Sequence, residues 1–233
     1  MKEFTRRGML GGFVTGVAAS LPILHAGCAE GSKPEAAAPP KPALKTYKNA
    51  DFYAPDGKLD AAKAKQAYYE LMEYHHFPVL PVLKTDEFWT LDFALANFLE
   101  VGMGGIFYVN NQKDNYLLHD IWLLPGQMIP EHFHIKTPEV GAKMEAWLVR
   151  HGSAHFYSEG EPSPGVDERI PPLHRECAKA RHEEFKTPGQ VVVQPVPEAR
   201  HWMKAGPEGA IVTEVATYHD MAALRFSHPK AKV

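Results

Sequence analysis

A chain of 233 residues, 45% of them hydrophobic and 11% aromatic, is long enough to close one domain around a substantial core. The net charge of −3 falls to −5 without the first 27 residues, which carry Lys2, Arg6 and Arg7 against Glu3, so there is no basic footprint and nucleic acid is excluded as a partner. Two cysteines, Cys28 and Cys177, cannot make a disulfide framework.

The first 28 residues read as a targeting segment. KEFTRRGMLGG sets twin arginines before a weakly apolar run from Met9 to Leu24, which resembles a twin-arginine export signal. The run ends LHAGC, giving Cys28 the place of a lipoprotein acceptor, although His25 stands where an apolar residue is usual; cleavage nearby without lipidation weighs equally. Because the run is shorter than the ~20 residues needed to span, a membrane anchor is the lesser reading. The implied location is periplasmic, or extracytoplasmic on a membrane tether through Cys28. Residues 29–45, rich in Ala, Pro and Lys, bury no core and read as a disordered tether.

Residues 46–103 read as a helical N-terminal extension. LDAAKAKQAYYELMEYHH (59–76) has Asp60 as N-cap and Ala64, Tyr68, Leu71 and Met72 at helical spacing. His75 and His76 point in different directions and suit the helix dipole rather than a ligand role. A shorter helix is expected over 92–101, stopped by Gly102.

From Gly104 to residue 233 the texture is short apolar runs between turns. Strands are expected at 105–111, 115–125, 130–135, 143–150, 153–160, 190–196 and 209–219, with Asn-Asn, Pro-Gly and Glu-Gly in the gaps. Such a series predicts an all-β double-sheet jelly roll with N-terminal helices. The Pro-rich stretch 161–188 reads as a long connection. His174, Cys177 and His182 fall within it, and a surface loop outweighs a second metal site.

Chemistry concentrates between Gly126 and Gly152. His132 and His134, one residue apart on an extended strand, project from the same face and can reach one ion. In KMEAWLVR (143–150), alternation puts Lys143, Glu145, Trp147 and Val149 on a common face. A carboxylate and two neutral imidazoles suit a borderline divalent metal. Five residues separate Gly126 from His132 and six separate Glu145 from Gly152, which resembles the first cupin motif. The loop between His134 and Glu145 is longer than usual there. Glu139 competes as ligand, but it lies between Pro138 and Gly141 in a turn, and Glu145 is preferred. Gly189 and Pro195 keep the interval of the second cupin motif, with His201 displaced by one position and Pro197 in place of a glycine. The jelly roll is therefore expected to be a cupin barrel, and the resemblance makes His201 the fourth ligand; its plainer reading is a histidine packed at the barrel mouth.

Within the cupins, LLPGQMIPEHFH, KMEAWLVRHG and TEVATYHD resemble the D-lyxose isomerases and related sugar isomerases, over roughly residues 65 to 228 and specifically in those three places. Alternation leaves the facing of Glu214 open, and composition favours the solvent side; the resemblance instead implies a catalytic glutamate. Lys143 shares the face of Glu145, so an inward Glu145 implies an inward lysine fit for proton transfer. Trp147 and Trp202 either stack on a sugar or fill the core. His219 and Asp220 would line the mouth, Tyr218 is a weaker candidate, and Arg150 falls on the opposite face, outside the site. The resemblance implies an aldose–ketose isomerase using Mn²⁺, with Zn²⁺, Fe²⁺ or Co²⁺ compatible with the same ligands, a small sugar as substrate and a homodimer. The same ligands also allow an iron dioxygenase or an exported sugar-binding cupin without turnover.

Overall fold

The structure is a computed structural model that describes residues 43–233. The export signal, the Cys28 acceptor and most of the 29–45 tether lie outside the described residues.

Helix α1 spans Ala61–Tyr74, and the Asp60 carboxylate accepts from the Lys63 backbone N–H at 3.1 Å, satisfying a donor the helix cannot. Ala64, Ala67, Tyr68, Leu71 and Met72 form its buried stripe, spaced three and four apart. They pack on Phe88, Phe98, Ile106, Trp122 and Ile211, so α1 covers the outer face of one end of the sheet. No second helix forms over 92–101. Asp92 accepts from the Ala94 N–H at 3.0 Å, and Phe93, Ala94 and Ala96 take positive φ of 52°, 56° and 52°. The physical reason is that Phe93 belongs to the barrel core and Phe98 to the α1 core, so the segment turns to serve both.

Nine strands are present among the described residues: β1 Trp89–Leu91, β2 Met103–Asn111, β3 Tyr116–Leu123, β4 Met128–His134, β5 Glu145–Ser158, β6 His182–Lys186, β7 Val191–Val193, β8 His201–Ala216 and β9 Leu224–Phe226. Their ladders are all antiparallel, in the order β1-β2-β3-β8-β4-β9, with β5 pairing β6, β7 and β8. The sheet curls on itself as the cupin jelly roll. Where two strands were expected over 143–160 there is one, because Gly152, at φ 69°, lets the chain bend with a local shift in register instead of breaking. Likewise β8 starts at His201, well before residue 209. The polar stretch 161–188 contributes β6, whose Glu183 and Phe185 pair across to Tyr157 and His155.

That stretch is not simply a surface loop. His174 is fully buried, its ring 5.1 Å from that of His228, while Cys177 is half-buried and His182 exposed. Among the described residues these three form no metal-binding cluster. Burial, with His228 adding to it, lowers the His174 pKa from 6.5 to about 4. The unfolded chain therefore takes up the proton first, and this group's contribution to stability is lost as pH falls from 6.5 towards about 4. Thermal unfolding of the wild type and of His174→Leu between about pH 7 and pH 4.5 checks this. The wild type is expected to lose more Tm over that window, and parallel losses would contradict the assignment.

Candidate metal centre

The alternation of β4 turns His132 and His134 into the barrel. His201 opens β8 directly across from His132 in the β4–β8 ladder. Glu145 opens β5, and its carboxylate lies 3.6 Å from His134 Nε2 and 3.3 Å from His201 Nε2. One donor atom from each of His132, His134, Glu145 and His201 falls within 4.8 Å of the others. Two imidazoles are oriented by the backbone, as His132 Nδ1 donates to Pro130 O and His201 Nδ1 to Ala199 O, each at 2.9 Å. This fixes the tautomer and leaves both Nε2 lone pairs free to ligate. His201 Nε2, both ring nitrogens of His134 and Glu145 Oε2 are buried without a hydrogen-bond partner. Buried polar atoms are rarely left so, and four converging donors with unspent lone pairs fit a divalent metal ion.

The electrostatics agree with a ligand role. Burial drives the His132 pKa to about 3 and that of His201 to about 4, and lowers His134 as well, so all three stay neutral. Glu139, the rival ligand, is exposed in the turn closed by Thr137 and Val140.

Lys143 stands immediately before β5, where Met144 and Thr217 exchange hydrogen bonds of 3.0 Å and draw the segment against the end of β8. Its Nζ donates at 2.6 Å to Glu145 Oε1 and at 2.6 Å to Glu214 Oε1. Burial pulls the lysine pKa down, but the two carboxylates outweigh it and raise the value. Burial pushes Glu214 up, yet the Lys143 ammonium and a further donor, His119, hold it well below the usual carboxylate range. Glu145 has no such second donor, and burial takes it to about 7 despite Lys143. Glu214 thus faces the interior at 5% exposure, against the compositional expectation of the solvent side.

The surrounding cavity measures about 290 Å³ and is walled by Trp89, Phe107 and Trp147 among others. Trp147 lies 5.2 Å from the His201 ring and His219 5.1 Å from that of His134. Trp202 reaches the wall but stacks on Tyr157 at 3.6 Å and donates to Ala180 O, so its polar edge serves the fold. Asp220 stands between His219 and Met221, which both line the cavity, and its side chain is engaged locally. Its carboxylate caps the turn at Met221–Ala223 through Ala222 N–H and accepts from the Thr137 hydroxyl. Arg150 is exposed on the outer face, donating to Thr213 Oγ1. Tyr218 is half-buried beside Asn115.

Sequence reasoning missed His119. It sits on β3, opposite Glu214 in the β3–β8 ladder, with Nδ1 3.1 Å from Glu214 Oε2. The available signal was alternation, since Leu117, His119, Ile121 and Leu123 share a face and a histidine there must point inward.

No family model matches the chain. The D-lyxose ketol-isomerase of Cohnella laeviribosi is 36% identical over 144 residues, 60% of this chain and 76% of that protein. The D-lyxose/D-mannose isomerase of Thermosediminibacter oceani is 30% identical over 176 residues, 75% of this chain and 94% of that protein. Among solved structures, the L-ribose isomerase of Acinetobacter sp. DL28 in complex with L-ribose aligns with a TM-score of 0.60 at 13% identity, covering 78% of this chain and 95% of that one. The ligand-free L-ribose isomerase of Cellulomonas parahominis gives 0.57 at 15% identity, over 78% and 95%. At these identities the structural likeness speaks for the fold alone.

Metal content after equilibration with Mn²⁺ and dialysis tests the four-residue centre. His132→Ala and His201→Ala are each expected to weaken retention by at least about tenfold, whereas Asp220→Ala keeps the wild-type content. Full retention by both histidine variants would refute the assignment.

Proposed function

The chain belongs to the D-lyxose ketol-isomerase family, and from that premise we propose that it interconverts an aldose and a ketose by moving a proton between C1 and C2, with a divalent metal ion, taken as Mn²⁺, as cofactor. The observation that carries this reading is the placement of Lys143 Nζ 2.6 Å from both the ligand Glu145 and the non-ligand Glu214. A buried ammonium and a buried carboxylate beside one metal centre are an acid and a base already in position.

His132, His134, Glu145 and His201 would hold the divalent ion, which would supply Lewis acidity to the bound sugar. Glu214, ionised, takes the proton from C2 of the aldose, and the C–H electron pair becomes the C1–C2 double bond. Lys143 hands a proton to O1, where negative charge gathers. The resulting amine accepts the proton of the O2 hydroxyl, Glu214 returns its own to C1, and the C2 carbonyl forms. Both side chains end as they began. Trp89, Phe107 and Trp147 keep bulk water from the exchange and present apolar faces to the C–H edges of the ring or chain. D-lyxose and D-mannose are the first substrates to try. On the reading of residues 1–28, the reaction takes place outside the cytoplasm.

Incubation of the Mn²⁺-loaded protein with D-lyxose, D-mannose and their ketoses tests the reading. Ketose should form, cease on chelation and resume when Mn²⁺ is restored. Glu214→Gln should lower kcat by about 10²- to 10⁴-fold with metal content unchanged. No interconversion of any aldose by metal-replete protein, or oxygen uptake by the iron form in its place, would sink the proposal.

A further inference from the structure

The carboxylate of Glu214 is held at both oxygens. Lys143 Nζ takes Oε1 at 2.6 Å, and on the other side His119 Nδ1 takes Oε2 at 3.1 Å. His119 is itself buried at 4% exposure, and its ring is enclosed by Phe107, with centroids 4.6 Å apart at 65°, and by Trp89, 5.5 Å away at 33°. Its Nε2 is buried without a hydrogen-bond partner. That atom lies 2.7 Å from the position a Cβ on Gly105 would occupy, and the Trp89 ring is closer still. Trp89 and Gly105 face each other across the β1–β2 ladder, so the missing side chain at 105 opens the slot through which the indole reaches His119.

This arrangement selects one tautomer. A proton on Nε2 would be a buried donor with nothing to receive it, and an unprotonated Nδ1 would set a lone pair against a carboxylate oxygen. The proton therefore sits on Nδ1 and is donated to Glu214. His119 thus touches the proposed base directly.

We propose that His119 is a positioning residue that fixes the plane of the Glu214 carboxylate through a single-tautomer hydrogen bond, itself held by the Trp89–Gly105 slot. The role rests on the isomerase reading of Glu214. With Lys143 on one oxygen and His119 on the other, the carboxylate cannot rotate about its terminal bond, and the oxygen that meets the C1 and C2 protons keeps its place through both transfers. It follows the general pattern in which a catalytic base is oriented by a third group.

Kinetics and NMR test it together. His119→Phe, which keeps an aromatic ring but has no donor, should lower kcat by about 10- to 100-fold, with KM little changed and metal content intact. His119→Asn, whose amide nitrogen can stand near the Nδ1 position, should recover most of that loss. Gly105→Ala, whose added Cβ would crowd the Trp89 ring and the His119 Nε2 edge together, should lower kcat in the same way. NMR of the histidine ring nitrogens in the Zn²⁺-loaded wild type, with His119 identified by the signal lost in His119→Phe, should report the Nδ1-protonated form. Unchanged kcat in His119→Phe, no recovery in His119→Asn, loss of bound metal in either, or a proton on Nε2 would each overturn the proposal. An Nδ1-protonated His119 in a protein that isomerises no sugar would instead leave the hydrogen bond standing and remove the isomerase reading beneath it.

Discussion

The constraint on which the molecule depends is a corner in its longest strand pair. β5 and β8 run antiparallel along their whole lengths, with Glu145 opposite Ala216 at one end and Ser158 opposite His201 at the other. On a straight ribbon the thirteen steps from Glu145 to Ser158 would put these ends about 43 Å apart. Yet Glu145 Oε2 and His201 Nε2 are 3.3 Å from each other. The pair folds over at Gly152 and at Gly206–Gly209, where the register shifts and β8 passes from pairing with β4 to pairing with β3. Side chains would not fit there. A Cβ on Gly152 would overlap the Gly209 carbonyl oxygen, one on Gly206 the Ser153 hydroxyl, and Gly152 and Gly209 hold φ of 69° and 73°. The site is a consequence of that fold, since it brings two ends of one ribbon face to face.

What the corner brings together is electrostatically demanding. Two carboxylates and one ammonium lie buried within hydrogen-bonding distance, and removing any one of these charges from water costs several kcal/mol. The lysine offsets one carboxylate, His119 hydrogen-bonds the second, and the remaining negative charge sits at the end where three neutral imidazoles converge. A site with this balance is suited to a dication and ill suited to an anion. The same balance sets the two glutamates apart: Glu145, free of a second donor, turns its carboxylate toward the imidazoles of His134 and His201, whereas Glu214 is gripped at both oxygens.

β4 is braced from behind in a way that matters for its two histidines. Alternation that sends His132 and His134 inward sends Glu131 outward, where it is fully buried under the 161–181 connection. Its Oε2 accepts from the backbone N–H groups of Lys179 and Ala180 at 2.7 and 2.6 Å, and its Oε1 from Ser227 Oγ at 2.5 Å. Trp202, beside His201 on β8, ties the same connection through Ala180 O. The Pro-rich segment that reads as a long connection thus backs both strands that present imidazoles, tied to them through Glu131 and Trp202. Rigid placement of ligands is what a metal centre requires of its scaffold.

These features explain which parts of the site were legible in the sequence. His132 and His134 declare themselves because two-residue spacing on a strand leaves one geometric outcome, and Lys143 with Glu145 follows by the same alternation. His119 hides because a lone histidine in NYLLHDIWLL looks like a packed residue, and only its partner across the β3–β8 ladder gives it a task. The facing of Glu214 could not be settled locally, since Val212 turns inward and Val215 outward on the same strand, and a buried carboxylate is acceptable only once Lys143 and His119 are known to meet it. The merging of two expected strands into β5 has a similar origin. Gly152 reads as a break when the chain is taken alone, whereas a partner bending at Gly209 makes it a hinge. Alternation could assign His119 and Gly152 to a face but could not supply the partner across the barrel that gives each its task, whereas His132, His134, Lys143 and Glu145 share faces that one strand determines by itself.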